Sequence, residues 1–450
     1  MLNVAPFALA VAALAGAARL WHRAGAVEHQ RGALVYRRAR RGGRLAPWAL
    51  KSRLTLGGVY IAPLDECKHF KLIGTTGTGK STAIAELLAG ALERGDRAVI
   101  SDPDGGYLQR FLDRQRGDVV LNPFEPDSAC WDPFAEIHAS HDVEQLAIGL
   151  IPPTEDPSGR EWRGYARTLL TAILRRCHER ERCDASELWR LLAVASTREL
   201  RVLVAGTPAQ PFLEAENLRM LGSIRSVASS AAAALELVQK QRGRGFSVRH
   251  WVRQGRGILF LPYRAGQIAA LRSIIATWLR IAIFEAMAHA EADLRLWFVM
   301  DELDALGAID GLKDALARLR KFGGRCVLGF QSMAQVSGTY GAADAQTITE
   351  NCGNTLILRC SGSEAGGTAQ YASRLIGERE VERRQTTRGQ DTEGLLGVLG
   401  GRGGRRSRTV SPQRITELAV MASELEQLPD LTGYLKRASA DHWQRVMLAR

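Results

Sequence analysis

At 450 residues the chain is too long for one ordinary domain, and its 46% hydrophobic content is ample for a sizeable core, so a large core carrying an insertion or second module is expected. Its 60 Lys and Arg against 48 Asp and Glu leave a formal charge of +12, which suits an anionic partner such as nucleic acid or an inner-leaflet membrane surface, although GC-rich coding bias contributes to the same arginine excess. The 7 cysteines are scattered, with no Cys-x-x-Cys pair, which excludes a disulfide framework and structural zinc and places the body in a reducing cytosol.

The first 18 residues, Met1 to Ala18, carry no charged side chain, and the run "LNVAPFALAVAALAGAARL" is about long enough to span a bilayer. Arg19, Arg23, Arg31, Arg37, Arg38, Arg40, Arg41 and Arg44 follow. A short uncleaved membrane anchor over residues 1–22 is therefore expected, with a basic linker over 23–53 and everything downstream on the cytoplasmic side. A core or interfacial helix is the competing reading of this Ala-rich segment, which also holds Pro6.

Short continuous apolar runs then recur at His69 to Gly74, Arg97 to Ser101, Asp118 to Leu121, Gly257 to Leu261, Leu296 to Asp301, Cys326 to Phe330 and Thr355 to Arg359. Such runs read as parallel strands covered on both faces. Helical patterns lie between them, at Ser81 to Arg94, Ala166 to Cys177, Ser273 to Ala290 and Gly311 to Lys321. The expected fold class is α/β with a central, mostly parallel sheet. Strand signals vanish from about Asp142 to Arg249, which predicts an all-α insertion domain (142–250) between two parts of a nucleotide-binding domain (54–141 and 251–450). The apolar segment "SIIATWLRIAIFEAMAHA" carries Arg280 and Glu285 and so reads as a packed core helix rather than a second membrane span. Residues 378–412 are charged and Gly-rich and predict a flexible loop. A short helix near Glu417 to Leu428 and strands at Gly433 to Arg437 and Arg445 to Leu448 close the chain.

The stretch "KLIGTTGTGKSTAIAEL" joins a strand, a glycine-rich turn and a helix. In Gly74-Thr75-Thr76-Gly77-Thr78-Gly79-Lys80-Ser81-Thr82 the spacing bends the strand so that backbone N–H groups converge on a β-phosphate. Lys80 would reach the β- and γ-phosphates of ATP, and the Ser81 hydroxyl would ligate Mg2+. The metal needs a hard oxygen near Ser81 and the attacking water needs a base. "LRLWFVMDELDALG" offers both: Asp301, ending a buried run, for the magnesium shell, and Glu302 to orient or deprotonate water. Acidic residues after a strand also arise simply as helix-start residues. Gln331 ends the next strand, "CVLGFQS", where an amide could sense the γ-phosphate or merely terminate the strand. Arg320 could neutralise charge across a subunit boundary, or be one more arginine on a solvated helix face. Arg402, Arg405, Arg406 and Arg408 form a cluster suited to nucleic acid, anionic lipid or plain solvent.

Together with "HFKLIGTTGTGKST", "MDELDALG" and "LRKFGGRCVLGFQSMAQVSGTYG", the blocks "ISDPDGGY", "VLNPFEPDSACWDPF", "WRGYARTLL" and "NCGNTLILR" resemble the type IV secretion coupling proteins of the TraD/TrwB group, from about Leu54 to the end. These are ring-forming, RecA-like P-loop ATPases related to the FtsK and HerA translocases. The resemblance implies a membrane-anchored homo-hexamer that uses ATP and Mg2+ to drive single- or double-stranded DNA into a conjugation channel, with a relaxase or relaxosome, channel components and the inner membrane as partners. It also implies catalytic roles for Lys80, Glu302, Gln331 and, in trans, Arg320, and metal binding by Ser81 and Asp301. An FtsK/HerA-type translocase unlinked to conjugation, and a coupling protein chiefly for protein effectors, remain the alternatives. Against the family pattern of two membrane helices, one is expected here, and the closing residues "DHWQRVMLAR" read as a folded edge rather than an acidic tail.

Overall fold

The computed structural model describes residues 28–37, 54–154, 156–180, 184–288, 294–363, 366–390 and 406–449. The expected anchor over 1–22 lies outside them. No helix among the described residues is long and apolar enough to cross a membrane. The principal strands, in chain order, are β1 (Glu28–Gly32), β2 (Leu34–Tyr36), β3 (Phe70–Ile73), β4 (Arg97–Pro103), β5 (Val119–Val120), β6 (Ile258–Tyr263), β7 (Leu296–Met300), β8 (Arg325–Phe330), β9 (Asn354–Ile357), β10 (Glu378–Gln390), β11 (Arg406–Leu418), β12 (Thr432–Lys436) and β13 (His442–Met447). The principal helices are α1 (Lys80–Glu93), α2 (Gly106–Phe111), α3 (Ser140–Leu150), α4 (Pro157–Arg180), α5 (Leu218–Ala231), α6 (Val248–Gln254), α7 (Ile268–Ala288) and α8 (Leu312–Leu319).

Among the described residues ten strands form one sheet in the order β2-β13-β12-β9-β3-β8-β7-β4-β6-β5. From β9 to β5 every neighbouring pair is parallel, while β12 joins β9 and β13 antiparallel at the other side. Alternation along each apolar strand feeds two separate cores. Trp297 and Val299 of β7, with Phe70 and Leu72 of β3, pack against Ile84, Leu87 and Leu88 of α1. Leu296, Phe298 and Met300 point the other way, into a core shared with α3, α4, α5 and α7. Burial on both faces is why these strands read as unbroken apolar runs.

Between β5 and β6 the chain is predominantly helical, with a two-residue parallel pairing of Cys130–Trp131 and Gly245–Phe246 at its neck. The neck is pinned by Glu136, 1% exposed, which accepts the N–H groups of Val248 (2.7 Å) and Arg249 (3.0 Å) and the indole N–H of Trp131 (2.9 Å). Arg249 in turn donates to Asp142 of α3 (2.9 Å) and Glu285 of α7 (2.7 Å). Buried charges of this kind hold only when paired, so the insertion is fixed to the body at both ends. Arg280 and Glu285 mark α7 as a packed core helix, since Arg280 pairs with Asp310 (3.1 Å) and Glu285 with Arg249.

Two expectations give way. Residues 378–412 do not form a loop throughout: β10 and β11 pair antiparallel from Glu378↔Leu418 to Gln390↔Arg406. The glycine-rich core of that segment falls in 391–405, outside the described residues, whereas the charged flanks pair across the strands, Glu417 accepting from Arg379 (2.8 Å) and Arg383 (2.6 Å). β11 therefore runs to Leu418, and the short helix expected from Glu417 begins at Ala422. The basic linker over 23–53 likewise contains strands: β1 pairs with β10, and β2 extends the main sheet beside β13.

Candidate active site

The loop after β3 is shaped by backbone geometry that only glycine takes easily. Gly79 has φ +115°, and a Cβ there would lie 2.9 Å from the Leu431 side chain, so the loop both requires the left-handed region and is roofed by the C-terminal segment. The Leu431 N–H donates to Thr78 O at 2.9 Å. Within the loop, Thr78 Oγ1 donates to Thr75 O (2.7 Å), and the Thr75 N–H donates to Arg359 O (2.9 Å) beyond β9. Lys80 donates to Gly74 O (2.6 Å) and Thr75 O (3.2 Å). Burial lowers its pKa, partly offset by the nearby Asp301 and Glu302 carboxylates.

The strand bearing Asp301 is not adjacent to β3. β8 lies between them, paired Phe330↔Ile73 on one side and Leu328↔Met300 on the other. The tips of three neighbouring strands therefore deliver Gly74, Gln331 and Asp301-Glu302 to one end of the sheet. Ser81 Oγ donates to Asp301 Oδ2 at 2.7 Å. Gln331 Nε2 donates to Glu302 Oε1 at 2.6 Å, and Thr76 Oγ1 donates to Gln331 Oε1 at 3.2 Å. Burial raises the Glu302 pKa, Asp301 beside it raises it further, and the Gln331 amide acts in the opposite sense.

These groups line a cleft of about 420 Å³ that takes in Thr76, Gly77, Gly79, Lys80, Ser81, Thr82, Asp301, Glu302 and Gln331. Gly74, Thr75 and Thr78 belong to the same loop and brace it through the bonds above rather than lining the cleft. Arg320 is elsewhere. It follows α8, is exposed, and sits ahead of β8 beside His69, at the opposite end of the sheet from Gln331. It cannot reach its own chain's cleft.

Sequence reasoning missed Tyr107. Its hydroxyl donates to Asp301 Oδ2 at 2.8 Å from a position 4% exposed. Tyr107 lies in the first turn of α2, whose N–H groups at Tyr107 (3.1 Å) and Leu108 (2.7 Å) donate to Asp102, the fully buried carboxylate near the end of β4. Burial lifts the Asp102 carboxyl to about 6, against the pull of those N–H groups. The available signal is the block "ISDPDGGY", in which local pattern alone gives the tyrosine no role. Asp104 and Arg110 also line the cleft.

The donor set fits magnesium. Asp301 Oδ1 is buried with no hydrogen-bond partner among the described residues, and a serine hydroxyl stands against the other oxygen of the same carboxylate. Both are the hard oxygens this ion prefers. Among the described residues no group of three or more His, Cys, Asp or Glu gathers as a metal cage. Magnesium commonly keeps few protein ligands and takes the rest from phosphate and water.

The fold and the cleft define a P-loop nucleotide-binding protein. Residues 53–449 match the type IV secretion-system coupling protein DNA-binding domain, and the chain belongs to that family. It is 31% identical over 395 residues to the coupling protein TraD of Escherichia coli (strain K12), which covers 85% of this chain and 53% of TraD. It is 24% identical over 385 residues to the conjugal transfer protein TraG of Escherichia coli, covering 74% of this chain and 58% of TraG. The chain thus spans about half the length of the curated relatives it matches. Among solved structures, the plasmid coupling protein TrwB in complex with ADP and Mg2+ superposes with a TM-score of 0.78 at 29% identity, covering 94% of both chains. TrwB with the non-hydrolysable analogue ADPNP gives 0.76 at 30% identity, covering 94% of this chain and 96% of the other.

Proposed function

We propose that this chain is the motor part of a conjugative coupling protein, an ATPase that moves DNA toward a type IV secretion channel. The supporting observation is the convergence of Lys80, Ser81, Asp301, Glu302 and Gln331 at the ends of three neighbouring strands, in a chain whose relatives include a coupling protein bound to ADP and Mg2+.

In this reading Lys80 leaves the loop carbonyls to compensate the charge of the β- and γ-phosphates, and the loop N–H groups grip the same anion. Ser81 and Asp301 hold the magnesium ion, which when bound neutralises charge on the phosphates. Glu302 orients the attacking water or takes its proton, and the Gln331 amide fixes the Glu302 carboxylate in place for that work. Hydrolysis needs charge compensation on the far side of the phosphate as well. Arg320, exposed at the opposite end of the sheet, supplies it to the next subunit of a homo-hexamer. The assembly works at the inner membrane with most of the chain in the cytoplasm, and takes its DNA from a relaxosome. Its grip on DNA is mainly through phosphates.

The deciding experiment measures ATP hydrolysis by the full chain with single-stranded DNA, double-stranded DNA or neither, over a range of salt concentrations. A coupling motor hydrolyses faster with DNA, and the stimulation fades steeply as salt rises. Hydrolysis indifferent to DNA at every salt concentration would reject the reading.

A further inference from the structure

Tyr107 stands where nothing in the hydrolysis scheme above requires a phenol. It is 4% exposed, part of the core under α1, and its OH lies 2.8 Å from the same Asp301 oxygen that Ser81 Oγ approaches at 2.7 Å. A carboxylate only accepts, so both hydroxyls donate to Oδ2. The other oxygen, Oδ1, is buried against Gly329 of β8, where a Cβ would stand 3.0 Å from it, and has no hydrogen-bond partner among the described residues. The two donors therefore hold the oxygen turned toward Ser81 and so fix the plane of the carboxylate.

The placement of the phenol is itself fixed. β4 and β7 are neighbours paired Ser101↔Met300, so the residues that follow, Asp102 and Asp301, emerge side by side. Two adjacent carboxylates in a buried setting repel one another unless each is engaged by donors. Asp102 is engaged by the N–H groups of Tyr107 (3.1 Å) and Leu108 (2.7 Å), which sets the first turn of α2. That turn carries the Tyr107 hydroxyl across to Asp301. One carboxylate thus positions the donor that orients the other, and the phenol engages Asp301 without adding a charge to the cleft.

We infer that Tyr107 is a positioning residue for magnesium: by holding Asp301 Oδ2 beside Ser81 it orients the carboxylate that serves the metal shell. The inference rests on the reading of this cleft as a magnesium–nucleotide site. A second observation separates it from simple core packing, because the ring alone satisfies the apolar contacts around α1, whereas the hydroxyl meets the Asp301 carboxylate and the Ser81 hydroxyl, the two groups read as metal ligands. Outer-shell hydrogen bonds to ligating carboxylates commonly change metal affinity by about 10–100-fold when removed.

The test compares the full chain with its Tyr107→Phe variant, which keeps the ring and deletes the hydroxyl. Binding of a fluorescent ADP is titrated with Mg2+, and repeated in EDTA. The variant is expected to need about tenfold more Mg2+ for half-maximal effect while its ADP affinity in EDTA stays within about twofold of the parent. The thermal midpoint is read in parallel, with ADP alone and with ADP plus Mg2+. The increment due to Mg2+ is taken within each protein, so a variant that is less stable throughout still reports, and that increment should shrink. An unchanged Mg2+ requirement in the variant overturns the inference. An equal loss of ADP affinity with and without Mg2+ also overturns it, because that pattern belongs to a distorted cleft. If the parent chain itself binds ADP with no dependence on Mg2+, the magnesium–nucleotide reading fails first, and the inference with it.

Discussion

Ser81 Oγ lies 2.7 Å from Asp301 Oδ2, across 220 positions of sequence. The contact exists because α1 starts at the tip of β3 and Asp301 follows the tip of β7, with the single strand β8 between them. A hydroxyl and a carboxylate brought together in this way are the hard-oxygen pair whose proposed purpose is to hold the magnesium of a bound nucleotide.

That purpose is tested most directly at Lys80. Its ammonium is buried and donates only to loop carbonyls, and burial lowers its pKa. Lys80→Ala therefore deletes the cation proposed to grip phosphate without breaking an ion pair among the described residues. Hydrolysis should fall by about 100-fold or more, the scale expected when a preorganised charge facing the transition state is lost. The thermal midpoint without nucleotide should not fall. Hydrolysis at the parental rate, measured by phosphate release, would remove the phosphate-gripping role.

The geometry behind Asp301 makes a second prediction. Gly329 in β8 lies so close to the Asp301 carbonyl that a Cβ would stand 2.0 Å from Asp301 O. No side-chain rotation relieves a clash with backbone. Gly329→Ala should cost about 1–3 kcal/mol of stability in urea unfolding, as overpacked cores do. It should also lower kcat by about 100-fold by shifting Asp301 and Glu302 from their places. Gly338, in the helix Met333–Tyr340 with open space where its Cβ would go, is the control. Gly338→Ala should instead stabilise by about 0.5–1 kcal/mol.

The same register explains what could and could not be read in advance. The parallel strands are continuous apolar runs because both faces are covered, and the glycine-rich turn and the Asp301-Glu302 pair are local signals, so fold class and cleft were legible. Tyr107 was not. Its role depends on β4 lying beside β7 in the register Ser101↔Met300, a relationship between segments some 200 positions apart that no local pattern encodes. The β10–β11 ladder was hidden for a different reason. Its strands carry alternating charges rather than an apolar face, and pair through contacts such as Arg379–Glu417 (2.8 Å), so composition resembled a loop. The strands in the basic linker were hidden likewise: all 5 residues of β1 are exposed, and β1 is ordered by pairing with β10 rather than by burial.

His69 predicts how stability responds to acid. The Cys326 N–H donates to Nδ1 at 3.0 Å, so the proton sits on Nε2, which donates to Leu316 O at 2.9 Å. Burial, and Arg320 nearby, push its pKa down from 6.5 to about 4. The unfolded chain therefore binds this proton more readily than the native one. Stability contributed by neutral His69 is full above pH 6.5 and is lost as pH falls from 6.5 toward 4, by roughly 3 kcal/mol. His69 has φ +56°, which asparagine tolerates. His69→Asn should lower stability at pH 7.5 and flatten its decline between pH 6.5 and 4.5, measured by urea unfolding at each pH. A variant with the parental pH slope would assign the acid sensitivity to other groups.

Arg320 stands or falls on its position. Its place beyond α8, next to His69, lies at the end of the sheet where β3 and β8 begin, whereas Lys80 and Gln331 lie where they finish. Within one chain the guanidinium cannot approach the cleft around Lys80, so any catalytic role must be exerted on a neighbouring copy. Because Arg320 is exposed and bears no weight in the core, Arg320→Ala should leave the thermal midpoint unchanged and still lower hydrolysis by about 1,000-fold or more, the scale of an arginine supplied in trans. Mixing decides the mechanism. Arg320→Ala subunits retain a working cleft and Lys80→Ala subunits retain a working arginine, so co-assembly should restore hydrolysis at mixed boundaries although each variant alone is inactive. The recovered rate should peak near equal proportions and vanish at either extreme. Absence of recovery at every ratio, with mixed assembly verified by crosslinking, would show that Arg320 does not act across a subunit boundary.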